Sequence, residues 1–228
     1  MAGASARANN REAFVGAQEF VPERGGLSAL SHAVQQCQGC DLFRGATQAV
    51  FSRGSAHAAI AFVGEQPGDV EDKDGAPFVG PAGRLLERAM TDAGIAAKDA
   101  YLTNAVKHFK FEQRGKRRIH QRPQRSEVVA CRPWLVAEFR ALTPTVVVAL
   151  GATAASALLG PRFRVSQHRG ELLPWPASSD RAADFPPRDG HVLATIHPSA
   201  VLRDPDRDAA YAGLVADLRV AAGSAGRR

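Results

Sequence analysis

The segment AIAFVGE, residues 59–65, decides the fold class because it is an almost uninterrupted apolar run of strand length. Three further runs have the same character: AYLTNAV (100–106), TVVVALG (145–151) and HVLATIHP (191–198). Strands covered on one face alternate polar and apolar residues, whereas strands covered on both faces read as continuous apolar runs. The four segments therefore predict buried strands of a mostly parallel sheet.

Helical patterns separate these strands. The segments 81–95 and 125–142 carry apolar residues at helical spacing, and the segment 152–160 ends at a glycine. We expect Ser126 to cap the second helix and Pro133 to disturb its middle. Alternating strands and helices predict an α/β fold in three layers, αβα, around a central, mostly parallel four-stranded sheet.

Composition narrows the class of protein. The chain has 228 residues, 45% of them hydrophobic, which suffices for one sizeable domain. The formal net charge of +6 favours a polyanionic partner. No apolar run reaches the roughly 18–20 residues of a membrane span, and the first residues lack the apolar stretch of a secretory signal. We therefore expect a cytoplasmic protein without a membrane partner.

Polar side chains follow the predicted strands where the strands end. The first strand leads into GEQPGD (64–69), which carries Glu65; the second ends at Asn104 and the fourth at His197. Ligands of open parallel sheets bind outside the carboxyl ends of the strands. Each residue alone is also typical of an ordinary turn. Together, a carboxylate, a carboxamide and an imidazole predict a site for acid–base chemistry and hydrogen bonding.

The cysteines suggest a metal site. Cys37 and Cys40 form a C-x-x-C pair, and Cys131 and His108 are available as further ligands. Three cysteines in a chain of this length are a poor basis for a secreted disulfide framework. Zinc and an iron–sulfur cluster with one histidine ligand both remain open on this evidence, as do three merely buried thiols.

The run KRRIHQRP (116–123) sets His120 among Lys116, Arg117 and Arg118. It follows FKF (109–111), so aromatic and cationic residues interleave. This pattern is typical of a groove for single-stranded nucleic acid, although most basic runs of this length are solvated loops.

Taken together, these motifs resemble the uracil-DNA glycosylase superfamily. GEQPG (64–68), PFVGPAGRLL (77–86), TNAVKHFKF (103–111), EVVACRPWL (127–135) and HPS (197–199) occur in the family's order. The resemblance covers about residues 25–222, which we predict to be a single domain. Residues 1–24 are then expected to form a disordered extension and residues 223–228 a flexible tail.

Two departures and one insertion refine the resemblance. Iron–sulfur members of the superfamily typically carry GEAPG in the first turn and a fourth cysteine in the second segment, where this chain has Gln66 and His108. It also carries GKRRIH (115–120). These features look like the UdgX-type class, which cross-links itself to uracil-containing DNA. The resemblance implies excision of uracil, preferably from single-stranded DNA, followed by attachment of His120 to C1′ of the abasic sugar.

The resemblance also implies roles for the other residues. Glu65 and His197 would act in catalysis beside His120. The remaining residues form three groups, which are uracil binding (Gly64, Gln66, Asp69, Phe78 and Asn104), DNA contact (Lys116, Arg117, Arg118 and Arg203) and ligation of a structural [4Fe–4S] cluster (Cys37, Cys40, His108 and Cys131). We expect a monomer, and we expect the cations around His120 to keep its imidazole neutral.

Two other functions stay open from the residues. The first is a conventional iron–sulfur uracil-DNA glycosylase that hydrolyses the bond with water and turns over repeatedly. The second is a non-enzymatic nucleic-acid-binding module stabilised by a metal.

Overall fold

The computed structural model describes residues 14–175, 185–186 and 189–226. Its strands are β1 (Ser52–Gly54), β2 (Ile60–Gly64), β3 (Ala100–Asn104), β4 (Phe111–Arg114), β5 (Arg117–His120), β6 (Val146–Leu150), β7 (Leu172–Pro174) and β8 (His191–Thr195). Its α-helices are α1 (Gly26–Ala33), α2 (Asp69–Asp74), α3 (Pro81–Asp92), α4 (Arg125–Ala141), α5 (Gly151–Leu159), α6 (Val165–His168), α7 (Pro198–Arg203) and α8 (Arg207–Ala225). Short 3₁₀ helices span Gln18–Phe20, Val34–Gln36, Asp41–Arg44 and Ala97–Asp99.

The main sheet has the strand order β1-β3-β2-β6-β8-β7. Its four central strands pair in parallel, and each lies within one of the four predicted segments, so the predicted fold class is confirmed. The sheet nevertheless has six strands rather than four, because β1 and β7 add antiparallel edges. Each edge strand is only three residues long, too short to leave a periodic pattern in the sequence.

Helices cover both faces of this sheet. On one face, Leu135 and Phe139 of α4 pack with Leu158 of α5. On the other face, Leu86 of α3 packs with Leu218 of α8. All residues of β2, β3 and β6 are buried, which is why these strands read as continuous apolar runs.

The three predicted helices are present as α3, α4 and α5, with one correction at a cap. The residue that precedes α4 is Gln124, whose backbone N–H donates to the carboxylate of Glu127. Ser126 lies inside the first turn of the helix, so its prediction as the cap is wrong. Pro133 lies within an unbroken helix that runs on to Ala141.

The basic run is a β-hairpin rather than a loop. Strands β4 and β5 pair antiparallel from Phe111 opposite His120 to Arg114 opposite Arg117. Gly115 lies in the turn at φ 58°, a left-handed conformation that suits glycine. Because both strands are short and mostly polar, the sequence offers no apolar alternation by which to recognise them. The hairpin holds His120 at the end of a strand.

The described parts of the two predicted flexible ends contact the domain. Ala17 donates its backbone N–H to Ala130 of α4 at 2.8 Å, and Gly16 donates to Gly39 at 3.0 Å. Helix α8 continues to Ala225, past the predicted start of the tail. Residues 1–13 and 227–228 lie outside the described residues. None of the described helices combines the length and apolar character needed to cross a lipid bilayer.

The strand order reverses between β2 and β6. From β2 the chain moves to β3 on one side, and it then crosses to β6 and β8 on the other. Helices diverge from such a reversal and leave a crevice outside the carboxyl ends of the strands. The fold therefore provides a binding crevice next to the turn that follows Gly64.

Candidate active site

A cavity of about 560 Å³ opens at the carboxyl ends of the parallel strands. Its lining brings together residues from six separate segments: Glu65, Gln66, Gly68, Glu71, Phe78, Ala82, Asn104, His120, Arg122, Leu150, Gly151, Ala152, Thr153, His197, Ser199 and Arg203. A larger groove of about 790 Å³ shares no residue with it and lacks a histidine or carboxamide beyond Gln18. The predicted carboxylate, carboxamide and imidazole groups therefore all line the smaller cavity.

Phe78 forms one wall of the cavity in a strained backbone conformation. Its φ of 58° is left-handed, the one such non-glycine residue among those described. A Cβ on Gly83 would lie 1.9 Å from the Phe78 carbonyl oxygen, so α3 approaches this backbone closely. The Phe78 ring stacks towards His197 with 6.5 Å between ring centroids and 29° between planes. Strain held by tight packing in this way is common in binding sites.

Gly64 has no side chain, which allows the Asn104 carboxamide and the Phe78 ring to lie close together. A Cβ at this position would lie 2.3 Å from Oδ1 of Asn104 and 2.6 Å from Cζ of Phe78. Asn104 is 2% exposed and lines the cavity from the end of β3. Any side chain larger than hydrogen at Gly64 would thus displace the carboxamide or the ring.

Glu71 joins the two loops that border the cavity, a role that the sequence did not predict. Its carboxylate accepts the backbone N–H of Gly68 at 3.1 Å and that of Gly80 at 2.9 Å. The two loops contain Gln66 and Phe78. A carboxylate six residues after Glu65 in a short polar helix gives no signal of such a role before the loops are folded together.

The hydrogen bonds of His197 determine its protonation. Its Nδ1 accepts the backbone N–H of Ser199 at 3.1 Å and lies 2.8 Å from the Ser199 hydroxyl. Burial lowers the pKa of His197 to about 4, and the charges of His120 and Arg203 act in the same direction. The ring is therefore neutral at pH 7, with its proton on Nε2. That N–H is available as a donor to a ligand in the cavity.

Glu65 is held by a residue from α5. The Thr153 hydroxyl donates to Oε2 of Glu65, and Arg122 Nε donates to Thr153 Oγ1 at 3.2 Å. Arg122 Nε also lies 3.8 Å from Glu65 Oε2. The other carboxylate oxygen, Oε1, lies 3.7 Å from Nε2 of His120. One oxygen is thus occupied by protein, and the other faces the His120 ring.

The amide of Gln66 is fixed by the hairpin. Its Oε1 accepts the Lys110 N–H at 3.0 Å, and its Nε2 donates to the carbonyls of Lys110 and Gln121 at 3.2 and 3.0 Å. Exchanging O and N would set oxygen against two carbonyls, so the orientation of the amide is determined.

The same Gln66 nitrogen lies 2.9 Å from Nε2 of His120. An amide NH₂ group has no lone pair to accept a proton. A proton on His120 Nε2 would therefore point at a donor, whereas a lone pair there can accept. The two N–H groups of this amide are shared among two carbonyls and His120 Nε2, and this sharing favours the His120 tautomer with its proton on Nδ1 and its lone pair on Nε2, on the side of Glu65.

Electrostatics also favour the neutral ring. Burial lowers the pKa of His120, Glu65 opposes this effect and Arg203 adds to it. The expectation that Lys116, Arg117 and Arg118 supply the effect is wrong about the cause. Desolvation comes first, and the contributing cation is Arg203 from α7.

Arg118 turns inward and ties the hairpin to α2. Its guanidinium pairs with Asp69 and, at 2.6 Å, with Asp72, which is fully buried. The guanidinium also lies over the rings of Phe109 and Phe111, 5.4 and 5.0 Å from their centroids. Arg118, predicted as a DNA contact, is thus largely neutralised within the protein.

Asp69, predicted to bind substrate, does not line the cavity. Its carboxylate is taken up by Arg118 and by Lys73, whose Nζ lies at 2.6 Å. Lys116 and Arg117 are exposed at the hairpin turn and pair with no described acidic residue. Arg203 lines the cavity and donates to Ser199 Oγ at 3.3 Å.

The predicted cluster ligands are buried. Cys37, Cys40 and Cys131 belong to one apolar cluster and form no disulfide with one another. Cys37 Sγ accepts from Trp134 Nε1, and Cys131 Sγ accepts the Lys107 N–H, both at 3.2 Å. Burial raises the pKa of Cys40 to about 11 and also raises that of Cys131.

His108 is buried as well, and burial lowers its pKa to about 4, which leaves it in the neutral form that a metal binds. Buried thiols with N–H donors and a neutral imidazole suit zinc or iron–sulfur by ligand chemistry. In the part of the chain that is described, no three His, Cys, Asp or Glu side chains converge closely enough to hold a single ion.

The cavity combines five chemical capabilities. Phe78 offers an aromatic face to a planar ring, and Asn104 offers both a donor and an acceptor to its polar edge. The His197 N–H can stabilise an anion, while Glu65 can stabilise a neighbouring cation. The imidazole of His120, beside that carboxylate, belongs to the class of side chains that can act as nucleophiles.

Two comparisons with known proteins identify the same protein family. Residues 51–219 match the sequence profile of the family described as the uracil DNA glycosylase superfamily. The chain is 35% identical over 179 residues to the type-4 uracil-DNA glycosylase of Thermotoga maritima, covering 78% of this chain and 84% of that protein. It is 34% identical to that of Pyrobaculum aerophilum, covering 78% and 86%, and 31% identical to that of Saccharolobus solfataricus, covering 78% of each.

The depressed pKa of His197 predicts a pH-dependent stability. Its pKa falls from the ordinary 6.5 to about 4 on folding, so the unfolded chain binds the proton more tightly and stability is lost as the pH falls through this window. Between pH 7 and pH 5 the loss should be about 2 kcal/mol. In His197→Asn, whose Oδ1 can accept the Ser199 N–H, this component should disappear.

Urea unfolding of both proteins at pH 7 and pH 5 measures the difference. His108 and His120 are present in both proteins, so their contributions cancel. An equal loss of unfolding free energy in the two proteins would contradict the assignment.

Proposed function

The chain belongs to the uracil-DNA glycosylase superfamily, and from that premise we propose that it excises uracil from DNA and that His120 then bonds to C1′ of the sugar. The observation that carries this proposal is the contact between the Gln66 amide nitrogen and Nε2 of His120. It favours a lone pair on Nε2, next to Glu65, at the place where a cationic sugar would need stabilisation.

Uracil enters the cavity as a base rotated out of the stack, or directly from a single strand. We expect single-stranded DNA to be preferred, because no base pair has to be broken. The base stacks on Phe78, and the Asn104 carboxamide pairs with its polar edge. Cytosine presents a different order of donors and acceptors at that edge, so the same amide discriminates against it.

Bond breaking separates charge. The electron pair of the C1′–N1 bond leaves with uracil, and the Nε2–H of His197 donates to the developing anion. The sugar gains oxocarbenium character, which the Glu65 carboxylate stabilises. Because His197 is neutral, it acts as a hydrogen-bond donor and not as a proton source, and the released uracil anion takes its proton from solvent.

His120 then captures the sugar. Its Nε2 lone pair forms the bond to C1′, which leaves a cationic imidazolium with its proton on Nδ1. Loss of that proton to water gives a neutral N-substituted imidazole. Such an imidazole is a poor leaving group, so the conjugate persists and the protein completes a single turnover.

The exposed cations supply affinity for the DNA backbone. Lys116 and Arg117 at the hairpin turn are unpaired among the described residues, and Arg122 and Arg203 border the cavity, so these four cations can meet phosphates on either side of the flipped nucleotide. Arg118 has a different role: through Asp69 and Asp72 it positions the strand that ends at His120.

The buried thiols and His108 would hold the [4Fe–4S] cluster that the family resemblance implies, which fits their ligand chemistry. When bound, the cluster supplies a structural cross-link between the Cys37–Cys40 segment, the exit of β3 and α4, and it takes no part in the chemistry. His108 and His120 flank the same hairpin, so this link also steadies the reactive residue.

A conventional, repeatedly turning-over glycosylase is the second candidate. The relatives are named type-4 uracil-DNA glycosylases, and the His120 side chain is 50% exposed, so water can reach its surroundings. In that case Glu65 would orient water, and His120 would only contact the DNA.

Incubation with uracil-containing single-stranded DNA should give a protein–DNA band that survives hot denaturant. His120→Ala should abolish the band, because it removes the nucleophile, while uracil release continues once water can enter. His168→Ala, at an exposed histidine outside the cavity, is the matched control and should cross-link like the wild type. Cross-linking by His120→Ala would refute the nucleophile, and repeated turnover by the wild type would establish the second candidate.

Substitutions of the neighbouring residues Arg117 and Arg118 should affect different steps. Arg118→Met releases the hairpin from α2 and should slow cross-linking at saturating DNA by roughly tenfold or more, the usual scale for losing a precise geometry. Arg117→Met removes one phosphate contact and should weaken binding while lowering the salt slope by about 0.7. Single-turnover rates and binding titrations at several salt concentrations separate the two effects. Identical behaviour of the two variants would remove the positioning role of Arg118.

The purified protein should be brown, absorb near 400 nm and contain about four iron atoms per chain. Cys131→Ser should lose both the colour and the iron, because it removes one thiolate. A colourless wild-type protein that contains zinc would contradict the cluster.

A further inference from the structure

Lys107 and Glu138 form an ion pair whose side chains are both completely buried. Of the ion pairs between described residues, it alone is fully removed from water. Taking two charges out of water costs several kcal/mol for each ion, and apolar residues of the same volume often stabilise a core as well or better. Stability alone is therefore a poor reason for this pair.

The ammonium group of Lys107 has one acceptor for each of its three protons. These acceptors are the carboxylate of Glu138, the Thr103 hydroxyl at 2.7 Å and the Asn104 backbone carbonyl at 3.0 Å. Every proton of the ammonium group thus has an acceptor, and the three acceptors together hold the Lys107 Nζ in place. Tyr101 completes the surroundings by donating to the other oxygen of Glu138 at 2.7 Å.

The contact with Asn104 connects this buried pair to the cavity. Asn104 is the last residue of β3, and after it the chain runs on beside the first turn: Ala105 donates to Gly64 and Val106 to Glu65. Lys107 folds back over this segment and holds the Asn104 peptide through its carbonyl. The Asn104 carboxamide packs against Gly64, where a Cβ would lie 2.3 Å from its Oδ1. Gly64 thus bounds the carboxamide, and Lys107 anchors the peptide that carries it.

We propose that Lys107, anchored by Glu138, is a positioning residue that aims the Asn104 carboxamide at the base. This inference rests on the proposed excision of uracil. A charge-assisted hydrogen bond in a dry interior is stronger than a neutral one, so it restrains the rotation of the Asn104 peptide more tightly than a neutral contact would. Lys107 itself touches neither the base nor the sugar.

The test replaces both members of the ion pair by uncharged side chains of similar size. In Lys107→Met/Glu138→Gln the pair becomes neutral, and the glutamine oxygen can still accept from Tyr101. The rate of uracil release at saturating protein should fall at least tenfold, while the protein concentration at half-saturation changes less than twofold because no DNA contact is altered. The control Tyr101→Phe removes a hydrogen bond of the same network without touching Lys107, and it should release uracil at the wild-type rate.

A second measurement separates positioning from a general loss of structure. If Lys107 acts through Asn104, the double substitution should have no further effect on uracil release in an Asn104→Ala background. The same fold loss in both backgrounds, or an unchanged rate in the double variant, would overturn the inference. A wild-type protein that released no uracil would overturn the proposed function and this inference with it. If the wild type releases uracil but the fold loss is the same in both backgrounds, or the double variant keeps the wild-type rate, only the inference about Lys107 is overturned.

Discussion

The side-chain amide of Gln66 joins the turn after β2 to the base of the β4–β5 hairpin, and the arrangement of the site depends on this junction. Four contacts to Lys110, Gln121 and His120 use both ends of the amide. Backbone groups determine which way the amide points, and the amide then favours the lone pair on Nε2 of His120. Because the amide has no titratable proton, its contact with the imidazole is the same at every pH at which the ring is neutral.

Charge in this protein is arranged in two classes. Arg118 and Lys107 are buried or nearly so, are paired with carboxylates, and lie beside segments that line the cavity. Lys116 and Arg117 are exposed and unpaired among the described residues, and so remain available to a polyanion. The net charge of +6 counts both classes alike, although the cations of the second class are better suited to attract DNA.

The residues predicted for the site occupy two kinds of position. The residues at the strand ends, Glu65, Asn104 and His197, line one cavity, because parallel strands bring their carboxyl ends to one edge of the sheet. Asp69 and Arg118 were predicted to face the ligand and the DNA, but they pair with each other. Their residue types suited both arrangements equally well, and only the packing of the hairpin on α2 decides between them. The contact of Glu71 with Gly80 forms only when the two loops fold together, and that of Thr153 with Glu65 joins residues 88 positions apart, so neither contact could be predicted.

By itself the sequence determined the layers of the fold, the four parallel strands, the helices between them and the edge where chemistry would gather. These follow from local apolar periodicity and from chain order, which any reader of the residues can see. Tertiary structure alone decided the edge strands, the inward turn of Arg118 and the contact between Gln66 and His120. The hairpin pairs neighbouring segments, but its short polar strands carry no apolar alternation that would predict it. The other features depend on hydrogen bonds or ion pairs between segments far apart in the chain, and short-range patterns carry no information about such partners.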